Sequence, residues 1–488
     1  MARKRSAPRA QARRRKKKKR EGPGATGGIL VVNMIPRSLS RESNQDSEPM
    51  IAVHPANPLE IVGTAFTPDP AGGSNAPLYV STDGGRTWRL HSIVPSRAGS
   101  LSGTNDITVA FAGAGGTLYG GILRDPSVNF ETLRAASPHD PATMEVLQSR
   151  AAGDQPFVHA ITNAGKDRVL VGVNDFGAGS ATATVDASAS AGIAKPSFRK
   201  VRIETRPTMG QDGPQVRPVS HADGTSYAAF YGWRSESGEF TDNTLVVTTD
   251  VVVVRDDRGL AGTRPFQDLK DAGDGLSGRL VARAVQVPFH QRGTAATGQQ
   301  RLGGTLSIAV DPRAEKSGTV YLAWGDRQPG SVLTLHVRRS TDRGATWSAA
   351  DLLAAPNATN AALAINGEGV VGLLYQEVTG AESARRWVTH FRRSADGARW
   401  DDVILADTPA DVPAKIFDPY LGDYDHLVAV GADFFGIFCA SNTPDPAHFP
   451  SGVTWQRNVD LAARRLLALD GKTPVPVSID PFFFKTTA

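Results

Sequence analysis

Residues 78 to 94 read Leu78-Tyr79-Val80-Ser81-Thr82-Asp83-Gly84-Gly85-Arg86-Thr87-Trp88-Arg89-Leu90-His91-Ser92-Ile93-Val94, and this stretch decides the fold. A β-run, Leu78-Tyr79-Val80, enters a tight polar turn with two glycines, and a second run ending Ile93-Val94 leaves it, so the two pair as a hairpin. Asp83 can accept hydrogen bonds from the backbone N–H groups that follow it, Gly85 can take positive φ, and the Ser81 and Thr87 hydroxyls can tie the arms together. Trp88 is then free to pack beneath the turn. The same spacing returns at Ser340, Asp342, Gly344 and Trp347, and a shorter copy runs Ser394-Ala395-Asp396-Gly397-Ala398-Arg399-Trp400.

A longer unit surrounds these turns. An acidic or Asn-bearing turn leads into one strand, and a short loop leads into a second that ends in small and aromatic residues. Copies begin at Ser47, Asn105, Asp154, Asp212, Thr305, Asn360 and Gly422, with second strands near Glu60, Thr117, Arg168, Ser226, Thr319, Val370 and Phe434. Seven copies spaced by roughly 50 to 90 residues are what four-stranded propeller blades produce. The expected fold is therefore an all-β propeller of seven blades, in a single domain over residues 29–488 behind a basic tail at 1–28. The runs Thr244–Thr249 and Val251–Val254 read as two outer strands of the fourth blade meeting at Asp250. The Gly-rich stretch 256–304 reads as a long insertion, and 177–192 as a flat outer strand or loose loop. Ile29 to Ile35 is short enough to be a strand that closes the ring.

The pattern Ser-x-Asp-x-Gly-x-Thr-Trp resembles the Asp-box of the bacterial neuraminidase (BNR) repeat, found in sialidase-superfamily β-propellers. The resemblance covers roughly residues 47 to 440. It implies that Ser81, Asp83, Gly85, Trp88, Ser340, Asp342, Gly344, Trp347, Ser394, Asp396 and Trp400 hold turns and do no chemistry. Enzymatic sialidases have six blades, so a six-bladed ring is the alternative.

Composition agrees with many short strands: 50 Gly and 32 Pro in 488 residues, with no heptad pattern. No apolar run approaches the roughly 18 residues of a membrane helix, so the chain reads as soluble. Cys439 is the sole cysteine, which excludes an intramolecular disulfide. The net charge of +5 comes from residues 1–20, which hold 12 Lys/Arg and no acid; the remainder has 42 Lys/Arg against 49 Asp/Glu. Such a tail reads as a disordered arm that contacts nucleic acid, anionic lipid or an acidic protein, or as a solubilising leader. Gly28 to Val32 is too short for the apolar core of a signal peptide.

If strands alternate direction outward from the axis, the Asp-box turns lie on one face. The acids before each inner strand, and the loops after each second strand, then lie on the other. That second face collects Glu48, Asp106, Asp154, Asp212 and Asp423 as a broken acidic ring, with Arg124, Arg234, Arg327, Tyr375 and Glu377 around it. Carboxylates and guanidinium groups in one concavity could bind an anionic sugar and protonate its leaving group. The plainer reading is that these acids cap turns and that Asp–Arg pairs pin neighbouring blades.

The resemblance assigns roles. Arg124, Arg234 and Arg327 would stand for the sialidase arginine triad, Tyr375 and Glu377 for the nucleophile pair, and Asp106 or Asp154 for the acid; Asp212 and Asp423 would help bind substrate. The family's Arg-Ile-Pro motif is missing: Ile35-Pro36-Arg37 has the wrong order, and Glu204-Thr205-Arg206-Pro207 comes too late. No cofactor is implied, although hard oxygen ligands in the acidic ring would suit calcium. The chain thus reads as a sialidase-like propeller that binds glycan and, if it is an enzyme, is a glycoside hydrolase of exo-sialidase type. The alternative is a non-catalytic interaction scaffold tethered to a polyanion by its tail.

Overall fold

The computed structural model describes residues 28–66, 70, 76–94, 104–124, 129–135, 144–213, 215–416 and 418–486. The basic stretch 1–20 lies outside them. Six blades are four-stranded antiparallel sheets whose strands follow the sequence from the axis outward. They begin with Ser47–Val53, Thr104–Ala112, Gly153–Asn163, Arg217–Ser220, Leu306–Val310 and Ala358–Ile365. The seventh begins with His426–Val430, which packs on both Ala358–Ile365 and Ser47–Val53, so seven blades close one ring.

Blade seven is completed by the start of the chain. Its second and third strands are Asp433–Ser441 and Ile479–Thr486; Ile29–Asn33 adds antiparallel to the third, with Ile29 opposite Thr486. Thr454–Trp455 then pairs parallel on the outside of Ile29–Asn33. The expected closing strand near Ile29 is present.

Each blade packs apolar side chains against both neighbours. Met50, Val62 and Leu78 of the first blade meet Ile107, Leu118 and Ile122 of the second in one buried cluster. The same pattern recurs between later blades, as with Val320, Leu322 and Trp324 against Tyr231 and Val251. Burying each such side chain contributes about 1.5–3 kcal/mol. Because both sheet faces are covered, the strands read as nearly continuous apolar runs.

Three sequence expectations need correction. Val246–Asp256 is one strand, the third of blade four, with the ladder shifted around Asp250 rather than turned there. The bulge lets Asp250 leave the ladder and bind Arg234 and the Ala284 N–H, so a mid-strand Asp mimics a turn. The supposed insertion contains the outer strand of that blade, Arg279–Pro288, and Ala183–Ser188 in the Ala/Thr-rich stretch is a buried third strand.

The Ser-x-Asp turns join third to fourth strands in blades one, five and six. Ser81 Oγ donates to Asp83 and accepts from the Gly85 N–H, each at 2.9 Å, while Asp83 accepts from the Thr87 N–H and hydroxyl at 2.9 and 2.6 Å. The Trp88 indole N–H donates to the Gly85 carbonyl at 3.0 Å. Gly85 has φ +87°, and a Cβ there would fall 2.0 Å from the Phe483 ring. The Ser340 turn repeats every one of these bonds, with Trp347 donating to Gly344. In the shorter copy Ser394 and Asp396 still bond, but Trp400 donates to Leu352 instead.

On the opposite face, the inner strands of blades one, two, three and six begin with a β-bulge, at Ser47/Met50, Thr104/Ile107, Asp154/Phe157 and Thr359/Ala362. Glu48, Gln155 and Asn360 within them have φ near +50°. A bulge re-aims side chains that a regular strand would spend on packing. No helix among the described residues is long and apolar enough to cross a membrane.

Candidate functional site

A cavity of about 430 Å³ opens on the face with the bulges. Its polar wall is Asp154 and Gln155 from the entry to blade three, Asp423 from the entry to blade seven, and Arg301 from the segment leading into blade five. Trp233, Phe289 and Leu245 supply an apolar wall, with the Trp233 and Phe289 rings 5.0 Å apart; Phe240 stands half-exposed at the rim.

Local bonds explain why Arg301 is there. Gln300 donates to the Gly422 carbonyl at 2.9 Å and accepts from the Leu421 N–H at 2.7 Å, which pins the segment to the blade-seven entry. Gly422 has φ +109°, and a Cβ on it would come within 2.3 Å of the Glu48 nitrogen, so this close approach requires glycine. Arg301 then bonds Asp423 at both carboxylate oxygens, Nε to Oδ1 at 3.0 Å, and lies 3.6 Å from Glu48. Burial opposes the Arg301 charge, but Asp423, Glu48 and Asp106 outweigh it and raise the guanidinium pKa.

The acids behind the wall are coupled. Burial first, then the Asp106 and Asp423 charges, push Glu48 well above the carboxylate range. Asp106 is buried and accepts from the Tyr424 hydroxyl at 3.1 Å. Burial and the Asp106 charge lift Asp154 to about 7, against the Gln155 N–H and Arg301, which pull it down. The cavity thus presents an acid that is protonated near neutrality beside a carboxylate paired with arginine. Such a pair can give a proton to a leaving oxygen and stabilise the positive charge left on carbon.

Of the residues singled out from sequence, the structure brings Glu48, Asp106, Asp154 and Asp423 together, with Asp154 and Asp423 in the cavity wall, and leaves the others apart from it. Asp212 is fully buried and accepts from the Ala183 and Trp233 N–H groups, so it positions Trp233 from behind. Arg234 is occupied by Glu204 and Asp250 at 2.9 and 2.8 Å, and Arg124 is buried. Arg327 lines a different cavity, with Gln286 and His290. These three arginines do not form one carboxylate clamp, because the ladder shift at Trp233/Ser235 sends Arg234 outward to the acids of its own blade and its neighbour. Tyr375 is fully buried and stacks on His390 at 4.9 Å, with Glu377 3.6 Å from that His. Tyr375 belongs to the packing between blades five and six and has no access to solvent, while Glu377 is partly exposed.

Sequence reasoning missed Arg301 and Phe289. Arg301 sits in Gln299-Gln300-Arg301-Leu302-Gly303-Gly304, where no periodicity marks it. Trp233 follows the apolar run of the strand Ser226–Ser237, which places it with Arg234 on this face, and it lines the cavity.

The acids around the axis do not form the tightest oxygen cluster. Among the described residues, three carboxylates come within 4.8 Å of one another at Glu42, Asp46 and Asp480, beside the ring closure. There Arg457, fully buried, bonds Asp480 at 2.9 Å and lies 3.8 Å from Glu42, and Asn33 and Asn442 also donate to Asp480. The Arg457 guanidinium brings positive charge to two of these three carboxylates.

No protein-family model matches the chain, and no curated protein matches it. Its backbone is similar to that of the GH93 α-L-arabinofuranosidase of Fusarium graminearum with arabinobiose, at 12% identity and TM-score 0.43, covering 93% of this chain and 98% of that one. It is also similar to the phage phi92 endosialidase, at 11% identity and TM-score 0.41 over 94% and 69% of the chains. A third likeness is to Trypanosoma rangeli sialidase with the inhibitor DANA, at 13% identity and TM-score 0.38 over 94% of this chain and 60% of that one. The chain is a β-propeller on its own sheet order and ring closure.

Proposed function

We propose that the protein binds a glycan in the cavity at the blade-three, blade-four and blade-seven entries and hydrolyses a glycosidic bond there. Asp154 is the proton donor to the leaving oxygen. Asp423, ion-paired with Arg301, is the facing carboxylate that stabilises positive charge at the anomeric carbon or directs a water to it. Burial and the Asp106 charge keep Asp154 protonated, and Trp233 with Phe289 forms the surface on which a sugar ring lies.

The observation that carries this reading is the pairing of unlike carboxyl groups in one cavity: Asp154 lifted to about 7, and Asp423 gripped by Arg301. The three Ser-x-Asp turns, read as BNR Asp-boxes, hold the far face and take no part. An exo-sialidase version with the Arg124, Arg234 and Arg327 clamp has less support, since Arg234 is bound to its own acids.

The test is hydrolysis of a panel of chromogenic glycosides by the purified chain and by Asp154→Asn. Turnover that Asp154→Asn abolishes while glycan binding persists supports the assignment. Turnover unchanged in Asp154→Asn would remove Asp154 from the chemistry, and no turnover with no glycan binding would sink the proposal.

A further inference from the structure

The charge and hydrogen-bonding capacity of this cavity also say which class of sugar it takes, an inference that rests on the glycan reading above. Its described wall carries three carboxyl groups, the protonated Asp154 with Glu236 and Asp423, against one guanidinium. That guanidinium, Arg301, spends one edge on both oxygens of Asp423 and reaches Glu48 at 3.6 Å. A sugar carboxylate entering here would have to displace Asp423 or share Arg301 with it and with Glu48, beside like charge in a partly desolvated space.

The orphan polar atoms point the same way. The Trp233 indole N–H and the Gln155 Oε1 are buried in the wall without a hydrogen-bond partner, and both residues are 6% exposed. One donates and the other accepts. A carboxylate can answer only the donor, whereas sugar hydroxyls answer both and can also donate to Asp154, Glu236 and Asp423. The apolar C–H face of a neutral ring suits the Trp233 and Phe289 rings across the cavity.

We infer that the cavity takes a neutral, hydroxyl-rich glycan and rejects acidic sugars, with Trp233 and Gln155 as its specificity-determining hydrogen-bond partners.

The experiment measures binding to the full chain carrying Asp154→Asn, which prevents turnover, by glycan array and then by calorimetry. The probes are neutral pentose and hexose oligosaccharides set against sialyllactose and oligogalacturonates, with the wild-type chain run on the array as a control. Neutral glycans are expected to bind and acidic ones to fail, and Trp233→Phe, which keeps the ring but loses the N–H, is expected to weaken neutral binding about fivefold to tenfold. Acidic glycans bound as well as neutral ones would overturn the inference and leave the glycan site standing. No glycan of either kind bound would overturn both. Trp233→Phe without effect, in a chain whose thermal unfolding is unchanged, would remove Trp233 from the selection.

Discussion

Arg301 grips Asp423 at both carboxylate oxygens, Nε to Oδ1 at 3.0 Å, although the two residues lie 122 positions apart. The same guanidinium is the counter-charge for Glu48 and is felt by Asp154. Removing it leaves several buried carboxyls uncompensated. Arg301→Gln should lower unfolding stability by about 3–5 kcal/mol, the usual cost of breaking a buried pair on one side. Urea unfolding at neutral pH measures this, and the exposed Arg327→Gln is the control, expected within about 0.5 kcal/mol of wild type.

The pH profile of hydrolysis follows from Asp154. The group must be protonated to donate, so activity should fall as pH rises through about 7. Asp106→Asn removes a like charge from beside it, which makes ionisation easier and lowers the Asp154 pKa. The alkaline limb should therefore move to lower pH in Asp106→Asn, read from kcat/KM against pH.

Stability carries a separate pH signature at the ring closure. Burial, then the Asp480 charge, push Glu42 up to about 8, despite Arg457 and the Asn44 N–H acting in the opposite sense. Its folded-state pKa thus lies above its unfolded value of 4.5, so the folded state favours the protonated acid. The stability this group contributes is fully present below pH 4.5 and is lost as pH rises through about 8. Glu42→Gln, which stays neutral, should flatten the decline of melting temperature between those limits. A decline as steep as wild type would show that another group is responsible.

Asp83→Ala removes the acceptor for the Thr87 N–H and hydroxyl and for Ser81. The turn is partly exposed, so the freed donors reach water, and a loss of about 1–2 kcal/mol is expected. Glycan affinity of the folded protein should not change, since the turn is on the face away from the cavity. Loss of binding at unchanged stability would contradict that placement.

How much was readable from the chain depended on local pattern. Ser81, Asp83, Gly85 and Trp88 lie within eight residues and make their bonds to one another, so their spacing announces the hairpin. The seven inner strands are each announced by a polar entry and an apolar run. Asp250 misled because a polar residue inside a β-branched run looks like a turn until a bulge and Arg234 account for it. The site was legible only in its acids: Asp154 and Asp423 precede strands that repeat. Arg301 was invisible, since its position depends on Gln300 bonding Leu421 and Gly422, a contact that only the closed ring creates.

The strand Ile29–Asn33 has a consequence for how the molecule is made. Asn33 bonds Asp480 at 2.7 Å across a separation of 447 residues, whereas strands within each of the first six blades join near neighbours in the sequence. A ribosome can therefore release six blades that fold as they emerge, but in the seventh Ile29–Asn33 must wait unpaired until Ile479–Thr486 appears. Until then Ile29–Asn33 is an open edge able to pair with another chain. Ring closure is a timing problem as much as a packing one, and it makes the pairing of Ile29–Asn33 with Ile479–Thr486 a clasp that is fastened late.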